Sequence, residues 1–343
     1  MLVKDVGIAD GVTVKEALLQ SDGSSISVLS FGAITKNWSV KFGGKSIPIV
    51  LGFDTLDAYL ADTNFVGVIA GRVANRTQNG RFKLDKIEYQ LPINAYPNHL
   101  HGGTLGFGKK NWNLDIDSKN CAVQLHRVSS HFEQGYPGRV DVTVIVKLHK
   151  NTVTYEMSAI PDRSTPINLA QHNYYNLMGK GDIWDHYFES MATSYTPVDE
   201  TLIPTGNISD LKDYRMKSNR GQWDLSIPKT LAQLDPEGFG IDMNLVLPAE
   251  RNKKLPVASM IAKNGIKLEV FTDQPGLQFY SGKNLSSKFV GHSGKKYGPF
   301  EGFCLEPQKF PSSLTIPSFP SVIFTPENPY KQVTSVKVST PME

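Results

Sequence analysis

Apolar residues recur along this chain chiefly at alternate positions or in short runs. Over residues 141–148, Val142, Val144, Val146 and Leu148 fall on one face and polar side chains on the other. That period of two predicts a strand with one buried face. Runs of strand length also occur at 26–31, 47–51, 121–125, 153–159, 245–247, 266–272, 277–280, 302–305 and 322–325. Clusters of Gly, Pro, Asn, Asp and Ser between them punctuate strands with turns. Phe82 and Leu84, followed by the run 87–91, predict a hairpin turning at Asp85-Lys86. Helix signals are few: a single turn over 55–59 capped by Asp54 or Thr55, and a short helix over 230–234. Residues 207–237 are rich in charge and weakly periodic, which predicts a long surface excursion. No internal repeat and no break in composition divide the chain. The pattern predicts an all-β fold, a large β-sandwich with few short helices, formed by residues 1–343 as one domain.

Charge and cysteine usage narrow the partners. The chain carries 36 Lys+Arg against 33 Asp+Glu, a net +3, so it lacks the dominating basic field of a nucleic-acid binder. The basic pairs Lys109-Lys110, Lys253-Lys254 and Lys295-Lys296 read as solvated loops. Cys121 and Cys304 are the only cysteines, which is no disulfide framework and predicts a reducing compartment. The first residues lead into no apolar core of signal-peptide length, and no segment approaches the length of a membrane span. The expectation is a cytoplasmic protein, monomer or homodimer, with no nucleic-acid or membrane partner.

Candidate chemistry lies in separate stretches. Residues 71–107 hold two polar clusters, Gly-Arg-Val-Ala-Asn-Arg at 71–76 and Asn-His-Leu-His-Gly-Gly at 98–103, on either side of the hairpin. Arg offers a fixed fork of donors, Asn donates and accepts, and His does either. That mix suits a polyhydroxylated small molecule, although each cluster is also compatible with an ordinary turn. On a strand, His99 and His101 would face the same way, which admits a metal reading, but no Cys-x-x-Cys or His-Glu-x-x-His motif supplies further ligands. In 171–177, His172, Tyr174 and Asn176 would share a strand face, as a catalytic or a hydrogen-bonded structural histidine. In 302–308, Phe303 and Leu305 would point into a core and Cys304, Glu306 and Gln308 the other way. A carboxylate closing an apolar run before Pro must be exposed, paired or functional. Asp242 after Gly240-Ile241 reads as a turn aspartate and Gln278 as a strand glutamine.

Taken together these stretches resemble the aldose 1-epimerase (galactose mutarotase) family. The matching segments are 71–76, 100–103 with Gly106-Phe107, 168–177, 196–199, 203–206, 275–280 and 304–308. They run in the family's order with similar spacing across residues 25–335. The resemblance implies a β-supersandwich with no metal or organic cofactor. It implies Glu306 as catalytic base, His172 as catalytic acid, and Asn75, Arg76, His101, Asp242 and Gln278 as the sugar-binding set. Gln171 stands where many members have Asn, and Pro307 where many have Thr. Residues 210–224 lack the family's usual Gly-Thr-Pro-Phe-Asp-Phe run, which bears on loop shape and substrate choice. The residue types fit the implied reaction independently. Interconverting anomers needs a base at the C1 hydroxyl and an acid at the ring oxygen, which a carboxylate and an imidazole supply. Tyr174 could provide an apolar floor for the sugar ring. Two other readings use the same residues: an isomerase acting on a different hemiacetal, and a sugar-binding protein without turnover.

Overall fold

A computed structural model describes residues 1–214, 223–292 and 294–341. Its largest sheet has nine strands, each antiparallel to its neighbours. Their order is Asn113–Asp117, Ala122–Ser129, Val140–His149, Thr152–Pro161, Tyr330–Ser339, Lys267–Thr272, Ala258–Ile261, Tyr187–Ser190 and Lys229–Thr230. The predicted face of Val142, Val144, Val146 and Leu148 is buried, and the neighbouring strand buries Val153, Tyr155, Met157 and Ala159 in step with it. His126 and His149 fall outside this buried face, as the alternation predicts.

A five-stranded sheet opens the chain: Leu2–Ala9, Val12–Ser21, Ser24–Leu29, Thr35–Phe42 and Lys45–Pro48. A second five-stranded sheet runs Ser209–Asp210, Ser194–Tyr195, Asp242–Val246, Gly276–Tyr280 and Cys304–Gln308. All three sheets contribute to one buried apolar cluster, among them Trp38 and Val40, Val144 and Tyr155, and Leu245, Phe279 and Leu305. Tyr155 ties the nine-stranded sheet to the first five-stranded sheet and to the segment after Gln171: its hydroxyl lies 2.8 Å from Thr35 Oγ1 and accepts from Asn173 Nδ2 at 2.9 Å.

Several local expectations hold and several are corrected. The hairpin Arg81–Leu84 with Ile87–Gln90 turns at Asp85 and Lys86, whose φ of 50° and 67° suit a tight hairpin turn. The two α-helices among the described residues are short, Leu56–Ala61 and Leu231–Leu234. Thr55 is the first one's N-cap residue but makes no side-chain capping bond, whereas Thr230 and Gln233 form a capping box on the second. The strand expected to carry His172, Tyr174 and Asn176 ends early, at Ala170–Gln171. Asp242 is corrected from turn to strand: it opens Asp242–Val246 opposite Tyr280. Residues 215–222 of the divergent 210–224 stretch lie outside the described residues.

Candidate active site

Strand register sets the site. Asn244, Gln278 and Glu306 are cross-strand partners in the second five-stranded sheet, and Asp242, Tyr280 and Cys304 form the next such row on that face. Partnered residues share a face and alternate residues return to it. Both rows therefore point away from Leu245, Leu277, Phe279 and Leu305, which enter the core, where Phe279 packs on Phe188 with ring centroids 4.4 Å apart. The predicted split of Leu305 from Glu306 is thus realised. Glu306 sits on the sheet's edge strand, where Pro307 costs no ladder bond on the open side. Yet Glu306 is only 2% exposed, because other segments cover it.

One covering segment is 168–175. Gln171 Nε2 donates to the Leu305 carbonyl at 3.0 Å, and Asn168 Oδ1 accepts from the Lys309 N–H at 3.0 Å. This lashing places His172 Nε2 3.8 Å from Glu306 Oε1. Tyr174 turns into the same cavity, while Asn176 does not: its amide donates to the carbonyls of Gly181 and Glu301. The other segment is the pair of polar clusters. Arg76 pairs with Leu100 and Thr77 with His99 on two short antiparallel strands. Asn75 and His101 flank them with φ of 62° and 49°, and the Asn75 N–H donates to His101 Nδ1 at 3.2 Å. Left-handed backbone at non-glycine residues is costly and tends to be kept at functional sites.

Glu306, His172, Asn75, Arg76, His101, Asp242, Gln278 and Tyr174 line one cavity of about 330 Å³, within the range of small-molecule pockets. Gln278 Nε2 donates to Asp242 Oδ1 at 2.5 Å, and Arg76 lies 3.9 Å from Asp242 Oδ2. Glu306 Oε2 and Gln278 Oε1 are buried with no protein partner. Buried polar atoms left unpaired are expensive, so they mark where a ligand's hydroxyls can bond. Leu100 and Tyr280, from matched segments but not named as site residues, complete the wall with Thr63, Asn64, Phe65 and Asn284, which escaped the sequence reading. Phe65 is the most informative of these. It has φ 59°, and its ring centroid lies 4.7 Å from that of His101 and 6.0 Å from that of His172. Asp62 fixes its loop by accepting the Asn64 and Val66 N–H groups at 3.1 and 2.9 Å. Only the Asp-x-Asn turn signal at 62–64 could have hinted at it.

The metal reading of His99 and His101 fails on geometry. His99 turns away, with Nδ1 against the Pro92 carbonyl and Nε2 against the Tyr136 hydroxyl, both at 2.7 Å. Arg72, in the same motif as Arg76, is also not a site residue: its buried guanidinium donates to the carbonyls of Pro137 and Gly138 and to Ser129 Oγ. His172, Cys304 and Glu306 bring donor atoms within 4.8 Å of one another. A cation held there would engage Glu306 and His172 at once and leave neither free to exchange protons.

Burial dominates the electrostatics. It pushes the Glu306 carboxyl well above the usual range; the Asp242 charge adds to this and Arg76 opposes it. Burial lowers His172 to about 4, with a backbone hydrogen bond opposing. His101 is pushed well down by burial and then by His172 and Arg76, and Asp242 is raised by burial against Arg76 and Gln278. Both shifts favour the neutral carboxyl beside the neutral imidazole, so a charged Glu306–His172 pair forms by passing one proton from the carboxyl to the imidazole across the 3.8 Å between them.

An all-β scaffold holding a buried carboxyl and an imidazole side by side in a polar cavity has the groups that an acid–base isomerase of sugars would use. Comparison with known proteins makes this particular. The family model for aldose 1-epimerase matches residues 15–337. Galactose mutarotase of Rattus norvegicus is 39% identical over 332 residues, covering 96% of this chain and 95% of that protein. The galactose mutarotase of Homo sapiens is 37% identical, again covering 96% and 95%. A solved GalM/aldose epimerase homologue from C. elegans superposes with a TM-score of 0.87 at 26% identity, covering 95% of this chain and all of that one. The chain belongs to the aldose 1-epimerase family and is an isomerase.

Proposed function

We propose that this protein interconverts the α and β anomers of free hexoses such as galactose and glucose, with Glu306 as base and His172 as acid. The observation that carries the assignment is the 3.8 Å approach of His172 Nε2 to Glu306 Oε1 inside the cavity that Asn75, Arg76, His101, Asp242 and Gln278 line. Glu306 takes the proton of the C1 hydroxyl while His172 Nε2 protonates the ring oxygen. The C1–O5 bond breaks, the open-chain aldehyde rotates about C1–C2, and the ring recloses on the other face with the two proton transfers reversed. Arg76 and His101 steady charge at the ring oxygen. Asp242 and Gln278 bond to hydroxyls, and Asn75 offers its side-chain N–H₂, since its Oδ1 already accepts the Arg76 N–H at 2.7 Å.

The apolar contact falls to Phe65 as well as Tyr174. Tyr174 is 3% exposed and its hydroxyl is committed to the Asn64 carbonyl at 3.0 Å, whereas Phe65 is only partly buried. A protein that only bound sugar would have no use for a buried carboxyl facing an imidazole, each penalised by burial. Polarimetry on freshly dissolved α-galactose and α-glucose tests the proposal. Catalysed decay of rotation well above the spontaneous rate is expected. If neither sugar responds, an anomer-resolved NMR panel of other aldoses decides between a different hemiacetal and binding without turnover.

A further inference from the structure

Beside the acid–base pair stands a group that the reaction above does not use. Cys304 lies two residues before Glu306, on the same strand and the same face, and is fully buried. Its Sγ is 3.6 Å from His172 Nδ1, while Nε2 of that ring is 3.8 Å from Glu306 Oε1. The two nitrogens of one imidazole therefore face two side chains of one strand. His101 at 5.1 Å, Tyr174 at 5.2 Å and Phe65 at 6.0 Å between ring centroids are the other rings around it. Arg76 and Asp242 line the same cavity.

The chemistry makes the Nδ1 side matter. When the imidazolium gives its Nε2 proton to the ring oxygen, the neutral ring that remains carries its proton on Nδ1. That N–H needs an acceptor, and the partner at Nδ1 settles which nitrogen is free to exchange protons. Burial, then the charges of Glu306 and Asp242, push the Cys304 thiol well above its usual range, so it stays a neutral S–H. Neutral sulfur is a weak acceptor. It orients the ring without making it a strong base, as a carboxylate in that place would.

We propose that Cys304 is a positioning residue for the acid: its thiol faces Nδ1, keeps Nε2 turned to Glu306 and the cavity, and leaves the imidazolium ready to release its proton. This rests on His172 being the acid. Cys304→Ala and Cys304→Ser test it by turnover, pH profile, melting temperature and an NMR titration of the His172 ring carbon. Cys304→Ala should lower kcat on the order of tenfold with KM within about twofold, since ring orientation matters to the proton transfer and little to sugar binding. Cys304→Ser should restore most of the turnover, and its better acceptor should raise the His172 midpoint and the alkaline limb by about half a pH unit. Unchanged kcat and alkaline limb in Cys304→Ala would overturn the proposal. So would equal losses in both variants that track a fall in melting temperature, because that pattern is packing. An unmoved His172 midpoint in Cys304→Ser overturns it as well, and this readout stands whether or not His172 proves to be the acid.

Discussion

Replacing Glu306 with Gln tests both the mechanism and the energetics of the site, because the two should move in opposite directions. The carboxyl is 2% exposed, its Oε2 has no protein partner, and burial pushes it well above the 4.5 of a free glutamate. Gln keeps the shape but can neither accept the C1 proton nor carry charge. Turnover should fall by roughly 10²–10⁴, about 2.7–5.5 kcal/mol of barrier. Stability should rise. A group whose folded value lies above its unfolded value contributes fully below the unfolded value, and that contribution is lost as pH rises through the folded value. Between the two values folding must protonate a carboxyl that is ionised in the unfolded chain, and above both the native state holds a buried carboxylate; the variant escapes either cost. We expect Glu306→Gln to be more stable by about 1–2 kcal/mol at pH 8, with the gain shrinking toward pH 4. Steady-state polarimetry gives the first number and urea unfolding at several pH values gives the second. Near-normal turnover in the folded variant would sink the base assignment. Lower stability at pH 8 would sink the buried-charge argument.

The remaining predictions concern the acid, the guanidinium and the histidines. His172→Asn should lose most turnover and the alkaline limb of the pH profile while sugar affinity by calorimetry changes little; lost binding with intact turnover would make His172 a ligand-positioning residue and leave His101 as the first candidate acid. Arg76→Ala should raise KM if the guanidinium holds ground and transition states alike, or lower kcat if it serves mainly the ring-oxygen charge; no change in either would remove it from the site. Burial lowers His99 and His186 to about 4. The folded state thus binds fewer protons than the unfolded one between 6.5 and 4, so this stability is present above 6.5 and lost as pH falls toward 4. Each histidine contributes a slope of up to about 1.4 kcal/mol per pH unit, and flat stability by urea unfolding from pH 7 to 5 would refute it.

Alternation along single segments was enough to determine the strands whose inward faces are wholly apolar, such as Val140–His149 and Thr152–Pro161. It also separated Glu306 from Leu305, because a period of two fixes sidedness before any partner strand is known. The same logic missed Tyr330–Ser339, a central strand of the nine-stranded sheet, since its buried face includes Gln332 and Thr334. Those polar groups find partners within their own strand, on the neighbouring strand and in another sheet: the Tyr330 hydroxyl donates to Gln332 Oε1, Thr334 Oγ1 lies 3.0 Å from Thr272 Oγ1, and Gln332 Nε2 donates to the Pro307 carbonyl at 2.9 Å. The family resemblance named a carboxylate, an imidazole and a sugar-binding set that includes Arg76 and His101; residue types and alternation by themselves offered only candidate clusters. They could not separate Arg76, which enters the cavity, from Arg72, four residues earlier, which braces backbone carbonyls. Nor could they part His101 from His99 or bring in Phe65. Those choices depend on left-handed turns at Phe65, Asn75 and His101 and on which segments cover the edge strand. Sequence fixes what a residue can do and which side of its own strand it takes. Distances, burial and protonation arise between segments far apart in the chain, and only the packed structure sets them.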